Sequence, residues 1–434
     1  MKKIVFIFAL LVGFLNTVNG SILDYTQYDF DGKEDGDTLL VLGGIHGNEP
    51  GGYYAPSLLT SHYKITKGHL IVVPNINFDS LIRNARGIYK DMNRKFDKIS
   101  KKDPDYKIVT GLKKLILQDN IDLVLNLHDG HGFYRKKWKN TIFNPRAWGQ
   151  ALIIDQIKIK APKYSNLDEI CNSVTNSING NVFNNKHIFD VKNTETKFKD
   201  EQMRLSLTYF AITHNKPALA IETSKNIHDT PTKVYYQLLT IEQFMRYMGI
   251  EFERDFELNT KNITKLLKEY GEVTINDRMK VDLNKLKPYT KFVPMKKKGN
   301  QFVFTDSLGA QLYKRKQYHL MVGNKQVATM KPDYFKQSPK KDYKISITLD
   351  GKKIDATKLF DVEAKNSFKI TTSKGIRTNV IGWSKKGVKN EANHNIKFSK
   401  IAKRFSIYKD CCVYRIEFYD EQNRYIKTIL IKKS

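Results

Sequence analysis

The sequence predicts an α/β catalytic domain, a mixed, largely parallel sheet flanked by helices, followed by two smaller β-rich domains. Three observations carry this. Short apolar runs that end in polar or glycine-rich segments alternate with helix-like stretches through the first half. Helical periodicity becomes scarce after about residue 251. Beyond that point, short segments rich in Val, Ile, Tyr and Phe alternate with Lys, Gly and Asn.

The first run, Thr38–Leu42, leads into Gly43-Gly44-Ile45-His46-Gly47-Asn48-Glu49-Pro50-Gly51-Gly52. Glycines directly after an apolar strand mark a sharp turn, and His46 and Glu49 emerge from it. An imidazole nitrogen and a carboxylate oxygen three residues apart supply half of a zinc site. A second run, Ile121–Leu127, ends in His128-Asp129-Gly130. A third, Pro217–Ile221, ends in Glu222-Thr223-Ser224. A fourth, His69–Asn75, leads into an arginine-bearing loop. Polar groups at the C-terminal ends of strands in an open α/β sheet converge on one crevice.

Roles follow from chemistry. His46, Glu49 and His128 would hold one zinc ion, which polarises a carbonyl oxygen and activates water. Glu222 is the carboxylate chosen as general base. The loop containing Arg83, Arg86, Asn93 and Arg94 suits a substrate with a free carboxyl terminus, because guanidinium groups bind carboxylates in a bidentate way. One of these arginines could instead stabilise a developing oxyanion. Thr208 and Tyr209, upstream of Glu222, and Trp148, on a segment with several Lys and Arg, complete the expected substrate-binding set.

At these residues the chain resembles the zinc carboxypeptidase (carboxypeptidase A-like) superfamily, which has His-x-x-Glu, an Asn-Arg pair, a later His and a Glu base in this order. The resemblance implies that His46, Glu49 and His128 are the ligands. It makes Asn93 and Arg94 the pair for the terminal carboxylate and Glu222 the base. Arg86 or Arg83 matches the carbonyl-polarising arginine, with Arg86 preferred; the family's active-site Tyr has no clear counterpart. Lys90–Phe96 and Ala220–Ser224, with the glycine-rich motif, narrow the resemblance to the cell-shape-determining peptidoglycan D,L-carboxypeptidases of helical bacteria. That resemblance implies cleavage of the D-Glu–meso-diaminopimelate bond of muramyl tripeptide to give dipeptide. It also implies two β-rich domains after the catalytic one.

The N-terminus reads as a cleavable signal peptide: Lys2-Lys3, an apolar stretch from Ile4 to Leu15, and Val18 and Gly20 before cleavage at Ser21. The expected location is the periplasm, with no membrane span after cleavage. The expected divisions are 1–20 signal peptide, 21–251 catalytic domain, 252–338 a small barrel-like β-domain and 339–434 an immunoglobulin-like sandwich. The first domain should close on a helix over Thr232–Tyr247, and Asp350-Gly351 should turn a hairpin.

Lys+Arg number 74 against Asp+Glu 45, a net charge of +29. Such a chain favours acidic partners. Peptidoglycan stems fit; nucleic acid is not expected, because no recognition signature for it is present. The β-rich domains carry no catalytic constellation, and their expected role is to bind the wall or other cell-shape proteins, or to buttress the enzyme. Three cysteines make no disulfide framework. Cys411 and Cys412, if on a strand, would point to opposite faces and remain thiols. The competing functions are a deacylase of the succinylglutamate desuccinylase and aspartoacylase type, and a non-catalytic wall-binding scaffold.

Overall fold

The computed structural model describes residues 23–434, so the expected signal peptide lies outside the described residues. The chain divides into two compact units, one ending at Glu269 and the other beginning at Tyr270.

The first unit is built on an eight-stranded sheet. Its strands are β1 (Tyr28–Asp31), β2 (Glu34–Leu42), β3 (Tyr63–Val73), β4 (Leu123–Gly130), β5 (Ala151–Ile154), β6 (Asp190–Asn193), β7 (Ala218–Ser224) and β8 (Glu251–Arg254). The order is β1-β3-β2-β4-β7-β5-β6, with β8 also paired to β3. β3, β2, β4 and β7 run parallel, as do β5 and β6, whereas β1 and β8 meet β3, and β5 meets β7, antiparallel. The sheet is therefore mixed with a parallel centre. Thr38–Leu42 and all of β4 are buried. This explains their unbroken apolar character, since central parallel strands are covered on both faces. β8 is charged at alternate positions, which suits an edge.

The principal helices are α1 (Pro50–His62), α2 (Tyr106–Ile116), α3 (Leu167–Asn179), α4 (Leu207–Thr213) and α5 (Thr230–Tyr247). α5 begins where the sequence indicates, with the Asp229 side chain accepting from Thr232 N–H at 2.9 Å. α1 packs against α5, and α5 against α3. The expected boundary at Glu251 falls on β8, an edge strand of this sheet, and a further helix at Thr260–Leu266 packs against α5.

The glycine-rich motif is a set of close approaches. A Cβ on Gly47 would lie 2.1 Å from the Ser80 carbonyl carbon, and one on Gly52 would lie 2.7 Å from the Leu127 carbonyl oxygen. Gly44 adopts a φ of +74°, which side-chain-bearing residues rarely take. The turn therefore lets α1 rest directly on the backbone of β4.

In the second unit, residues 272–334 form a three-stranded and a four-stranded sheet. Residues 345–433 form two four-stranded sheets, one with Ile345–Leu349 and Ser367–Thr372, the other with Val413–Asp420 and Tyr425–Lys433. Ile347, Phe368 and Ile370 from the first sheet share one core with Ile416, Phe418 and Ile429 from the second. Asp350 and Gly351 both have positive φ and turn the hairpin between Ile345–Leu349 and Lys352–Asp355.

The expectation of free thiols at 411 and 412 is corrected: Cys411 and Cys412 are bonded to each other, with S–S 2.09 Å. Both precede the strand that starts at Val413, so no pleat sends their side chains apart. Cys171 is a buried thiol.

Two outcomes follow from these contacts. Gly52→Ala should destabilise the protein by about 1–3 kcal/mol, read by chemical denaturation, because the new methyl overlaps the Leu127 carbonyl. The second concerns Glu391, which burial pushes up to about 7 although it accepts a hydrogen bond from Val380 N–H. The folded state binds this proton more tightly than the unfolded chain. The resulting stabilisation is full at acid pH, below the ordinary carboxylate range, and fades as pH rises through about 7. Glu391→Gln should therefore melt higher than the native chain above pH 7, with the gap closing towards pH 4 in calorimetric scans.

Candidate active site

His46 and Glu49 leave β2 on the glycine turn, and Glu49 is the N-cap residue of α1. The positive end of a helix favours a carboxylate there. His128 and Glu222 lie near the C-terminal ends of β4 and β7, and they are direct partners in the parallel register.

His46, Glu49 and His128 are buried and converge, with ligating atoms all within 4.8 Å of one another. Glu49 Oε2 is 3.2 Å from His46 Nδ1 and 2.9 Å from His128 Nδ1. The Asp129 backbone N–H donates to the same oxygen at 3.2 Å. His46 Nε2 lies 2.8 Å from Asp91 Oδ1. With the proton on Nε2, the Nδ1 lone pair faces the Glu49 carboxylate, and Nδ1 has no hydrogen-bond partner. Two acceptors facing each other at this distance need a cation between them. Burial opposes protonation of His46, yet Glu49 and Asp91 raise its pKa. Burial likewise opposes ionisation of Glu49, but the histidines hold it well below the usual carboxylate range. The pocket draws positive charge, and its donors fit a divalent metal.

Glu222 sits beside this cluster. Its Oε2 is buried and has no hydrogen-bond partner. Burial first, and then the charges of Glu49 and Asp129, raise its pKa well above the ordinary range, against the opposing pull of Lys225 and Arg86. A carboxyl poised in this way suits proton transfer. Asp129 accepts from Thr223 Oγ1 and from Gly51 N–H, the latter at 3.0 Å, and fixes the start of α1 to the strand ends.

The other expected residues separate into groups. Arg86 bonds Glu49 Oε1 through Nη1 at 3.2 Å and Asp91 Oδ2 through Nη2 at 2.9 Å, so it belongs to the cluster. Asn93 Oδ1 accepts from Leu207 N–H at 2.9 Å, which ties its turn to the start of α4. Arg94 donates to the Asn93 carbonyl at 2.9 Å and has no carboxylate partner among the described residues. Trp148 packs over Gly130, where an added Cβ would meet both Trp148 Cβ at 2.6 Å and Glu222 Oε2 at 2.8 Å. The Trp148 Cβ and Glu222 thus flank Gly130, and the Lys192 ammonium lies 4.1 Å from the indole centroid. Thr208 is buried, and its hydroxyl lies 3.2 Å from Ser206 Oγ. The Tyr209 hydroxyl has no partner among the described residues; only its backbone is tied, by donation to Ser206 Oγ at 3.2 Å.

Sequence reasoning missed Asp91, Lys225 and Lys192 as members of the site. Asp91 stood in the motif next to Asn93-Arg94, and its proximity was the only signal. Lys225 and Lys192 carried none.

A mixed α/β sheet with a buried His-Glu-His cluster at its strand ends and a free carboxyl beside it defines a metal-dependent hydrolase of the carboxypeptidase class. The family model for the catalytic region of carboxypeptidases controlling helical cell shape matches residues 1–268, and that for the C-terminal domain of metallo-carboxypeptidases matches residues 338–434. The chain belongs to this family of cell-shape metallocarboxypeptidases. The apo structure of cell shape determinant protein Csd4 from Helicobacter pylori is 35% identical and superposes with a TM-score of 0.88, covering 95% of this chain and 100% of that one. Its tripeptide-bound form gives 34% identity and 0.87 over 95% and 100%. The mDAP-bound form, described as a D,L-carboxypeptidase, gives 34% and 0.87 over 94% and 100%. No curated protein sequence matches the chain. No helix among the described residues is long and apolar enough to cross a membrane.

Asp91→Asn should weaken metal binding roughly 10–100-fold, measured by chelator competition, because the amide no longer fixes the His46 tautomer.

Proposed function

We propose that this metallocarboxypeptidase is a periplasmic D,L-carboxypeptidase that binds one zinc ion and hydrolyses the D-Glu–meso-diaminopimelate bond of muramyl tripeptide. The observation that carries this reading is the placement of Glu222, beside His128 in register and unpartnered at Oε2. The Csd4 structures with tripeptide and with mDAP support the substrate class.

In this reading His46, Glu49 and His128 hold the zinc. Bound zinc supplies Lewis-acid polarisation of the scissile carbonyl and of water. Glu222 takes the proton of the attacking water and returns it to the leaving amine. Asn93 and Arg94 grip the terminal carboxylate, the guanidinium of Arg94 having no carboxylate partner among the described residues. Arg86 stands close enough to Glu49 to serve the developing oxyanion. Trp148, Thr208 and Tyr209 are assigned to substrate binding. We assign residues 1–20 to an export signal and 339–434 to an immunoglobulin-like sandwich. The β-rich region from Tyr270 onward is a platform for wall or protein contacts.

Purified muramyl tripeptide incubated with the protein should release diaminopimelate, detected by mass spectrometry. Glu222→Gln should lower kcat by a factor on the order of 10²–10⁴, the contribution of general acid–base catalysis, with metal content unchanged. Chelation should abolish release. Stoichiometric metal without release would point to another amide substrate.

A further inference from the structure

Lys225 is a cation of the site that none of the roles above uses. It lies three residues beyond Glu222, where the chain leaves β7. Its backbone N–H donates to the Gly130 carbonyl at 2.7 Å. Its ammonium is 3.1 Å from Glu49 Oε1, and the side chain is 20% exposed, so it sits at the rim of the pocket. Arg86 reaches the same oxygen at 3.2 Å. The opposite oxygen, Oε2, faces the two imidazoles.

One carboxylate oxygen thus faces two cations. His46, Glu49 and His128 would hold a divalent ion, and with part of its charge so shared Glu49 would not need both cations. Arg86 retains Asp91, at 2.9 Å. Lys225 has no other carboxylate at ion-pair distance among the described residues. Of the two, Lys225 is the cation with no second carboxylate to hold it in place.

Separate anchors hold Lys225 and Arg94 on different segments. Lys225 belongs to the segment fastened to residues 130–132, through Ser224 Oγ to the Gly132 carbonyl at 2.5 Å and Gly132 N–H to Asn226 Oδ1 at 2.9 Å. Arg94 belongs to the turn fastened to α4 through Asn93. A substrate with two carboxylates, one on each side of the scissile amide, would use both. An amide formed through the γ-carboxyl of a D-glutamate has such a second group, the free α-carboxylate on the acyl side.

We propose that Lys225 binds the carboxylate on the acyl side of the scissile amide and so selects an acid over a carboxamide at that position. This rests on the function proposed above. A carboxamide loses the ion pair and turns its own donors towards the ammonium.

The test uses the zinc-loaded full chain and two muramyl dipeptides, one ending in D-glutamate and one in D-isoglutamine. Calorimetry should show the native protein binding the glutamate form about 10-fold more tightly, the effect of a charge-assisted contact worth one decade of affinity. Lys225→Met should bind the two alike, and Lys225→Arg should keep the preference. Lys225→Gln serves in place of the Met variant if that one does not fold. In kinetics, the acid form of the tripeptide should be favoured over its amidated form through KM, with kcat little changed. Equal binding of both dipeptides by the native protein, or a preference that survives in Lys225→Met, overturns the proposal while diaminopimelate release stands. Failure of the native protein to release diaminopimelate from either tripeptide overturns the underlying function instead.

Discussion

The buried carboxylate of Glu49 is the group on which the site is organised. It has lost water on all sides, and an ionised carboxylate in that position is tolerable only when its lone pairs are met. The structure divides them. Oε2 faces two imidazole nitrogens and a backbone N–H, and Oε1 faces two side-chain cations. Glu49 also stands at the N-cap position of α1, without a side-chain capping bond, so the helix start, two strands and the arginine loop meet at one electrostatic centre. Asp91 extends it by fixing the outer nitrogen of His46, and burial of Asp91 is outweighed by His46 and the nearby arginines, which keep it ionised.

Much of this was legible in the chain. The apolar runs at 38–42, 121–127 and 217–221 read as central strands, since a surface strand of that character would expose Val and Leu. The glycines at 43, 44, 47, 51 and 52 announced a turn too tight for side chains. Together they placed His46, Glu49, His128 and Glu222 near one another before any coordinates. The sequence does not show the surroundings of Thr208, a buried residue whose hydroxyl lies 3.2 Å from Ser206 Oγ.

The remaining gaps have one physical origin. Lys225 and Lys192 are ordinary members of a strongly basic sequence, and only the fold singles them out by bringing their ammonium groups to Glu49 and Trp148. Charge partners join residues over long separations and leave no periodic trace. The bonded pair Cys411–Cys412 was hidden for a different reason. Its chemistry depends on whether the residues lie on a strand or before it, and strand ends are the least determined part of a pattern.

The pairing of His128 with Glu222 has a consequence of its own. Neighbouring strands in a sheet are held about 4.8 Å apart by their backbone bonds. The offset between these two residues is therefore set by the ladder, which has no rotamers and no hinge. The segments around Trp148, Arg94 and Lys225 lie outside the central strands. Exchanges there can retune what is recognised while the hydrolytic core keeps its spacing, so chemistry and taste for substrate are free to evolve on separate parts of the chain.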